Sequence, residues 1–510
     1  MAVFPELALT GYTPMDILDR KDFVLKALDI LDKKITPNIT GCAVILGSIS
    51  RNCNKGKPYH NSAFFIEDKK IISVINKQLL PTYDLFDERR YYQEGQNSFP
   101  VNYKGLKLGI HICEDMWRKE SEAFQKLYKI DPVDNLGEQG VDIFINISAS
   151  PFARGKDKIR ENLMKRYISK WNVPFILVNT VGANDSIVFD GQSKYISSEG
   201  KVLIEAKDFE EDLVIVDTEK EPNTKIIKDS DTETVYKALI LGLKDYVRKN
   251  GFKGIVIGVS GGIDSALCAA LAKEAVGARN VTCVTMPTRF SSKGSVVDSQ
   301  KLCKNLGVEF IKIPIEDIFN RVVGDINSNA KPDLRDMALE NLQPRIRGTI
   351  LMAFSNSRDG RIVIAPGNKS EIATGYCTLY GDTCGALALI GDIYKTEVYE
   401  LCKFINRNKE IIPKEIMQKK PSAELRHQQY DTDTLPAYDA LDEVLKLYVE
   451  KEISPEEIYK KVSMKKEIVD FVINLVIKSE FKRKQLPPVI KVSEKSFILD
   501  RRWPIVHKFR

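Results

Sequence analysis

No apolar run in this sequence is long enough to cross a bilayer. Glu6 and Asp16 interrupt the start, which does not read as a secretory leader. A surplus of one charge is also missing. Lys and Arg total 76 against 70 Asp and Glu, and the net +6 suits small anions such as nucleotides without arguing for a nucleic-acid partner. Histidine is scarce, with four residues, and only His111 stands close to a cysteine that ends a strand pattern. The nine cysteines are odd in number, and their spacings form neither a metal site nor a disulfide framework. Cys268, Cys283 and Cys303 lie inside apolar runs. A reducing, cytoplasmic setting is therefore expected, with no membrane partner. What is present is an ordinary globular composition, 43% hydrophobic and 29% charged, on 510 residues. That length is too great for one core, so two domains or more are expected.

The stretch that organises the rest spans residues 254–272. Ile255-Val256-Ile257 is a short β-branched run, and an alanine- and leucine-rich helix pattern follows. Between them lies Ser260-Gly261-Gly262-Ile263-Asp264-Ser265. Strand, glycine turn and helix start make an anion site, because glycines let the backbone approach a phosphate and the first helical N–H groups are unpaired. Ser260 and Ser265 can add hydroxyl donors, and Asp264 puts a carboxylate where a metal bridging phosphates sits. No lysine precedes the last serine, which argues against a Walker A loop, and G-x-G-x-x-G is absent. Ser-Gly-Gly-x-Asp-Ser resembles the pyrophosphate loop of the N-type ATP pyrophosphatases, which cut ATP between the α and β phosphates and adenylate a carbonyl oxygen.

The first half opens with a strand pattern over residues 2–5, then a helix pattern over 23–34 and a buried-strand run over 42–48. Hairpin strands at 60–66 and 70–75 follow, linked by Glu67-Asp68-Lys69. Alternating apolar residues over 108–112 run into Cys113-Glu114-Asp115. Alone, Cys113 reads more often as packing than as a nucleophile, Glu6 as a strand-end acid and Lys77 as a solvated lysine. Together they carry more. Glu6 in Phe-Pro-Glu-Leu, Lys77 before Leu-Pro-Thr-Tyr, and Cys113 before Glu-Asp-Met-Trp resemble the three catalytic motifs of the nitrilase superfamily. Asn146-Ile-Ser-Ala-Ser-Pro151, after a strand at 141–145, resembles a further one. The resemblance covers about residues 1–215 and implies an α-β-β-α sandwich. It also implies a thioester route in which Cys113 attacks an amide, Glu6 is the general base and Lys77 steadies the oxyanion. Such a triad needs no histidine. Tyr83, Ser150 and Lys156 match the family's glutamine-binding positions.

Residues 216–230 are charged and poorly periodic and read as a linker. An amphipathic helix over 234–249 stops at Asn250-Gly251. Strands at 281–287, 308–314 and 361–365 alternate with helices at 295–306 and 336–356. That alternation predicts a Rossmann-like parallel sheet with helices on both faces over 231–510, and a nucleotide across the carboxyl ends of its strands. Residues 340–347, 367–371, 375–382, 391–396, 421–425 and 482–488 resemble motifs of the NAD synthetases, and the whole α/β chain resembles the glutamine-dependent members of that family. The resemblance implies that Gly258, Val259, Ser260, Gly261, Gly262, Ile263, Asp264, Ser265, Pro366, Lys395 and Ser422 bind ATP. It implies that Asn341, Arg345, Glu371 and Lys482 bind deamido-NAD, and that Asp264 and Glu371 hold Mg²⁺. Family members pass ammonia through a protein tunnel and form homo-oligomers.

Three departures stand out. Pro366 replaces a threonine beside ATP and loses both a hydroxyl and an N–H. Pro344 is expected to restrict Gln343 within a helix. The Phe-Pro-Glu motif comes some tens of residues earlier than in the family, so Glu6 is expected to be poorly positioned and ammonia to serve better than glutamine. An ammonia-dependent synthetase with an impaired glutaminase, and a non-catalytic nucleotide-binding regulator, are the alternatives. Release of pyrophosphate with deamido-NAD separates an enzyme from a regulator.

Overall fold

The computed structural model describes residues 1–218, 229–330, 334, 336–357 and 360–509. Most of the expected linker, residues 219–228, lies outside the described residues. The chain divides into two compact units. One is Met1–Asn184 with Val188–Asp229, and the other is Ser230–Arg510 with Asp185–Ile187.

In the first unit, β1 (Ala2–Val3), β2 (Val44–Arg51), β3 (Tyr59–Glu67) and β4 (Lys70–Asn76) form a four-stranded sheet in that order. The β3–β4 hairpin turns at Asp68 and Lys69, both with positive φ, which matches the twist of a two-residue hairpin. A second sheet runs β12-β11-β8-β7-β6-β5. Its strands are β5 (Val101–Tyr103), β6 (Leu106–Ile112), β7 (Ile143–Ser148), β8 (Phe175–Asn179), β11 (Lys194–Ile196) and β12 (Val202–Glu205). The hairpin of β9 (Val181–Asn184) and β10 (Ile187–Asp190) stands apart from both sheets.

Side chains alternate across a strand, so each sheet has two faces to bury. Ile45, Ala63, Phe65 and Ile75 from one sheet meet Ile110, Ile112, Ile145 and Ile147 from the other. The outer face of the six-stranded sheet, at Phe144, Phe175 and Leu177, packs on Leu163, Met164, Tyr167 and Ile168 of the helix Lys156–Trp171. Leu31 and Ile35, just beyond the helix Lys21–Ile30, cover Val44, Leu46, Phe64 and Ile66. This is the expected α-β-β-α sandwich.

One expectation is corrected. Residues 2–5 do not form an interior strand: only Ala2–Val3 pairs, parallel to β2 at the sheet edge. Pro5 has no N–H to give a ladder, and Leu7 then turns through positive φ.

The second unit is built on a five-stranded, all-parallel sheet in the order β15-β14-β13-β16-β17. Its strands are β13 (Gly254–Gly258), β14 (Val281–Thr285), β15 (Glu309–Lys312), β16 (Arg361–Ala365) and β17 (Leu387–Ala388). Strand order reverses between β13 and β16, which opens a crevice at the carboxyl end of β13. The helix Asp231–Lys249 starts from a Ser230 cap, and the helix Lys293–Leu306 ends at left-handed Gly307. The helix Asp336–Ser357 packs Ile346 and Leu351 against Val256, Val284 and Val363. It runs through Pro344 unbroken, contrary to the expected restriction. Gln343 stays buried in it, accepting from the Thr288 hydroxyl at 3.2 Å and donating to the Leu425 carbonyl at 2.9 Å. A separate helical core of Leu441, Val444, Val472, Ile473 and Val476 lies C-terminal to the sheet.

Candidate active sites

In the first unit, Glu6 follows β1, Lys77 follows β4 and Cys113 follows β6, so ends of strands from both facing sheets deliver the three groups. All three are buried, at 1%, 1% and 5% exposure. Glu6 Oε1 accepts from Lys77 Nζ at 2.8 Å and from Asn61 Nδ2 at 2.7 Å. Its Oε2 accepts from the Ala149 N–H at 2.8 Å. Glu6 is thus fixed by three donors, which does not support the expectation of a poorly positioned base. Gly47 makes this possible, since a Cβ there would lie 2.2 Å from the Pro5 carbonyl oxygen and 2.7 Å from Glu6 Cα.

Sequence reasoning missed Glu88. It stands in an acidic and basic cluster over residues 86–91 that carries no signal of a site, yet it is buried and accepts from Lys77 Nζ and from the Tyr12 hydroxyl, both at 2.7 Å. Burial alone disfavours the Lys77 ammonium, but Glu6 and Glu88 more than reverse this and hold it above the ordinary lysine range. Burial raises Glu88, against the pull of Lys77. Burial, then the Glu6 carboxylate, raises Cys113 well above a free thiol. That favours the thiol over the thiolate, so a nucleophilic role at Cys113 requires a base to take its proton.

The turn that presents Cys113 is strained, with φ +41 at the cysteine, at the start of a short 3-10 helix, Cys113–Lys119. Asp115 braces it by accepting from the N–H groups of Gln78 and Leu79 at 2.9 Å and of Ile112 at 3.0 Å. Those hydrogen bonds tie the segment after Lys77 to the segment carrying Cys113. Glu114 accepts from the Tyr83 hydroxyl at 2.9 Å and the Tyr128 hydroxyl at 2.6 Å. Burial pushes Glu114 and Asp115 each up to about 7.

Of the residues expected at glutamine, Tyr83 stacks edge-on against Phe86 and Phe124. Lys156 Nζ lies 5.3 Å from the Trp117 ring centre and 5.8 Å from that of Phe86. Ser150 is buried, its N–H donating to Asn179 Oδ1 at 2.9 Å.

In the second unit, the glycine loop lies at the reversal of strand order. The loop residues other than Gly261, with Pro366, Lys395, Ser422 and Glu371, line a cleft of about 280 Å³. Gly261 makes the turn instead: its φ is +76, and a Cβ would lie 2.5 Å from the Ser295 carbonyl oxygen. Gly262 caps the helix Ile263–Val276, whose first residues, Ile263, Asp264 and Ser265, line the cleft. Asp264 accepts from Asn368 Nδ2 at 3.0 Å and pairs with Lys395 Nζ, which also lies 3.9 Å from Glu371 Oε1. Burial disfavours the charge on Lys395, but the Asp264 and Glu371 carboxylates raise it above the ordinary lysine range. Burial, then the nearby Asp264 charge, raises Glu371.

Asp264 and Glu371 share the Lys395 ammonium and both line the cleft, a donor set that suits Mg²⁺, which takes one or two carboxylates from protein and fills its shell with phosphate and water. Among the described residues no cluster of three or more His, Cys, Asp or Glu is placed to hold a metal alone.

Asn341, Arg345 and Lys482 do not line this cleft. They gather beside it on one segment. Asn341 accepts from the Thr378 hydroxyl at 2.9 Å, Arg345 donates to the Leu379 carbonyl at 3.2 Å, and Lys482 donates to the Gly375 and Cys377 carbonyls at 2.8 and 2.7 Å. Arg347, which sequence reasoning passed over, does line the cleft. Burial pushes it down to about 10, and its Nε donates to the Met286 carbonyl at 3.0 Å.

Two family models match the chain: carbon-nitrogen hydrolase over residues 1–221 and NAD synthase over residues 235–486. The chain is 42% identical over 522 residues to the glutamine-dependent NAD(+) synthetase of Synechocystis sp., covering 99% of this chain and 92% of that one. It is 39% identical over 554 residues to that of Thermotoga maritima, covering 100% and 93%. The solved structure of glutamine-dependent NAD+ synthetase from Acinetobacter baumannii in complex with ADP matches with a TM-score of 0.76 at 33% identity, covering 99% of this chain and 91% of that one. The structure from Cytophaga hutchinsonii, with a TM-score of 0.82 at 21% identity, shares the fold.

Proposed function

The chain belongs to the glutamine-dependent NAD(+) synthetases, and from that premise we propose how its two sites divide the chemistry. In the first unit, Cys113 Sγ attacks the side-chain amide carbon of glutamine while Glu6 takes the thiol proton. Lys77, kept charged between Glu6 and Glu88, faces the developing oxyanion. The proton passes from Glu6 to the leaving nitrogen, ammonia departs, and a thioester remains on Cys113. Glu6 then takes a proton from water, which attacks the thioester and releases glutamate. Tyr83, Ser150 and Lys156 hold the substrate.

In the second unit, the glycine loop, Lys395 and Ser422 hold ATP, and Asn341, Arg345, Glu371 and Lys482 hold deamido-NAD. Mg²⁺, when bound at Asp264 and Glu371, neutralises charge on the phosphates. The nicotinate carboxylate attacks the α phosphorus, pyrophosphate leaves, and ammonia displaces AMP to give NAD. Pro366 lines the cleft and offers ATP neither a hydroxyl nor an N–H, so neighbouring groups supply the hydrogen bonds on that side.

The observation that carries the reading is the buried pairing of Lys77 with both Glu6 and Glu88 in the first unit, where Cys113 is also buried, on a chain that also bears the anion loop. All nine cysteines are free, which supports a cytoplasmic setting. No helix among the described residues is long and apolar enough to cross a membrane. We also propose a homo-oligomer, which sedimentation of the purified protein tests. The function is tested by supplying deamido-NAD and Mg-ATP with glutamine or with ammonium and following NAD and pyrophosphate. Both donors are expected to work. Pyrophosphate release with neither refutes the reading.

A further inference from the structure

Asp442 is a carboxylate on the buried face of the helix Tyr438–Leu445, at 2% exposure, between Leu441, Val444 and Leu445 of an apolar core. Among the described residues no cation pairs with it within ion-pair distance. Its oxygens go to two other helices. Oδ1 accepts from the Ser370 hydroxyl, and Oδ2 accepts from the Thr396 N–H at 3.0 Å and hydroxyl at 2.9 Å. Ser370 in turn accepts from the Lys395 N–H at 2.9 Å. The ring Asp442–Ser370–Lys395–Thr396 is closed.

Each link adjoins a group of the nucleotide cleft. Ser370 precedes Glu371, and Thr396 follows Lys395. At the start of the helix Lys395–Ile405 the Tyr394 side chain makes no capping hydrogen bond, and Glu397 accepts from the Tyr394 N–H, at 3.1 Å. Its first two N–H groups are instead satisfied by Ser370 and Asp442 from elsewhere in the chain, and the carboxylate sits at the positive end of that helix. From that backbone position the Lys395 side chain pairs with Asp264.

We propose that Asp442 is a positioning residue for adenylation, setting Lys395 relative to the glycine loop without touching substrate. The proposal rests on the functional reading above. An unpaired buried carboxylate is costly, and three accepted hydrogen bonds at two helix starts give it a use that an apolar residue could not supply. A displacement of about 1 Å at a catalytic group costs on the order of 10²-fold in rate.

The test compares full-length Asp442→Asn, Lys395→Ala and the double variant in ammonia-driven synthesis at saturating ATP. Glutamine hydrolysis and thermal melting are read alongside. Asp442→Asn should lose about 10²-fold in pyrophosphate release, with glutamine hydrolysis kept within about twofold. Because Asp442 acts through Lys395, the double variant should be no slower than Lys395→Ala alone, within about threefold. A merely structural role predicts that the two losses multiply, and that result overturns the proposal. So does adenylation by Asp442→Asn within about threefold of the unsubstituted protein. If Asp442→Asn does not fold, the pair Thr396→Val and Thr396→Ser decides: Val should impair and Ser, which keeps the hydroxyl, should restore, and equal rates overturn the proposal. No NAD from ammonia with the unsubstituted protein would instead sink the functional reading itself.

Discussion

The two sites solve opposite problems. The glutamine site handles a small neutral amide, and its reacting groups lie almost fully out of water with their charges already paired: Lys77 with Glu6 and Glu88, Glu6 with Asn61 and Ala149. The nucleotide site handles large anions, and Asp264 and Glu371 keep 17% and 18% of their side chains exposed on an open cleft. There, under the proposed reading, backbone donors at a helix start and a lysine that exchanges a carboxylate for a phosphate carry the binding. A covalent route through sulfur needs a fixed, dry arrangement, whereas a phosphate site must admit a charged ligand and a metal. The difference shows at the cysteine: burial, then the Glu6 carboxylate, raises Cys113 well above a free thiol, so under the proposed route a base has to act before the sulfur can attack.

The sharpest break between the two sites is expected from Cys113→Ala. It should lower glutamine-driven NAD formation on the order of 10³-fold or more, while ammonia-driven formation is unchanged. Equal loss with both donors would show that Cys113 serves structure. Asp264→Asn should do the converse, cutting pyrophosphate release about 10³-fold with either donor because a neutral amide is a poor ligand for a hard cation. Glutamine hydrolysis measured alone should persist. Glu88→Gln tests the carboxylate that sequence reasoning passed over. Removing one of the two charges on Lys77 should slow glutamine hydrolysis about 10²-fold and leave ammonia-driven synthesis intact, and an unaltered hydrolysis rate would remove Glu88 from the site.

The smallest effect is on stability. Burial pushes Glu114 and Asp115 up to about 7, whereas unfolded carboxyls titrate near about 4. Between those values the folded state keeps protons that the unfolded state has released, so stability falls as pH rises through about 4 to 7. Melting of the first unit should drop by about 10 °C or more across that window, and Asp115→Asn should flatten the slope. A slope unchanged by the substitution would show that other groups set it.

Much of this molecule was legible in short stretches. The β13 strand, its glycine loop and the following helix are one contiguous signal, and so is the run of β6 into Cys113. Alternation at periods of two and 3.6 marked most strands and helices, because burial of one face repeats along the chain. Residues 2–5 were misread because their apolar pattern says strand while Pro5 and the Leu7 turn end the pairing after two residues. Pro344 was misread the other way, since tertiary packing carries the helix through it.

What only the tertiary structure decided is which distant groups meet. Glu6 reaches the Ala149 N–H across 143 positions and Asp264 reaches Lys395 across 131. Glu88 carries no local signal, and only the folded first unit takes it out of water beside Lys77. Which arginine of the pair Arg345 and Arg347 faces the nucleotide cleft depended on the phase at which the helix Asp336–Ser357 docks on the sheet. Local patterns report which backbone forms, because propensity and face burial act over a few residues. The pairing of buried charges exists only after the layers close, because it is exclusion of water that makes a carboxylate and an ammonium choose each other.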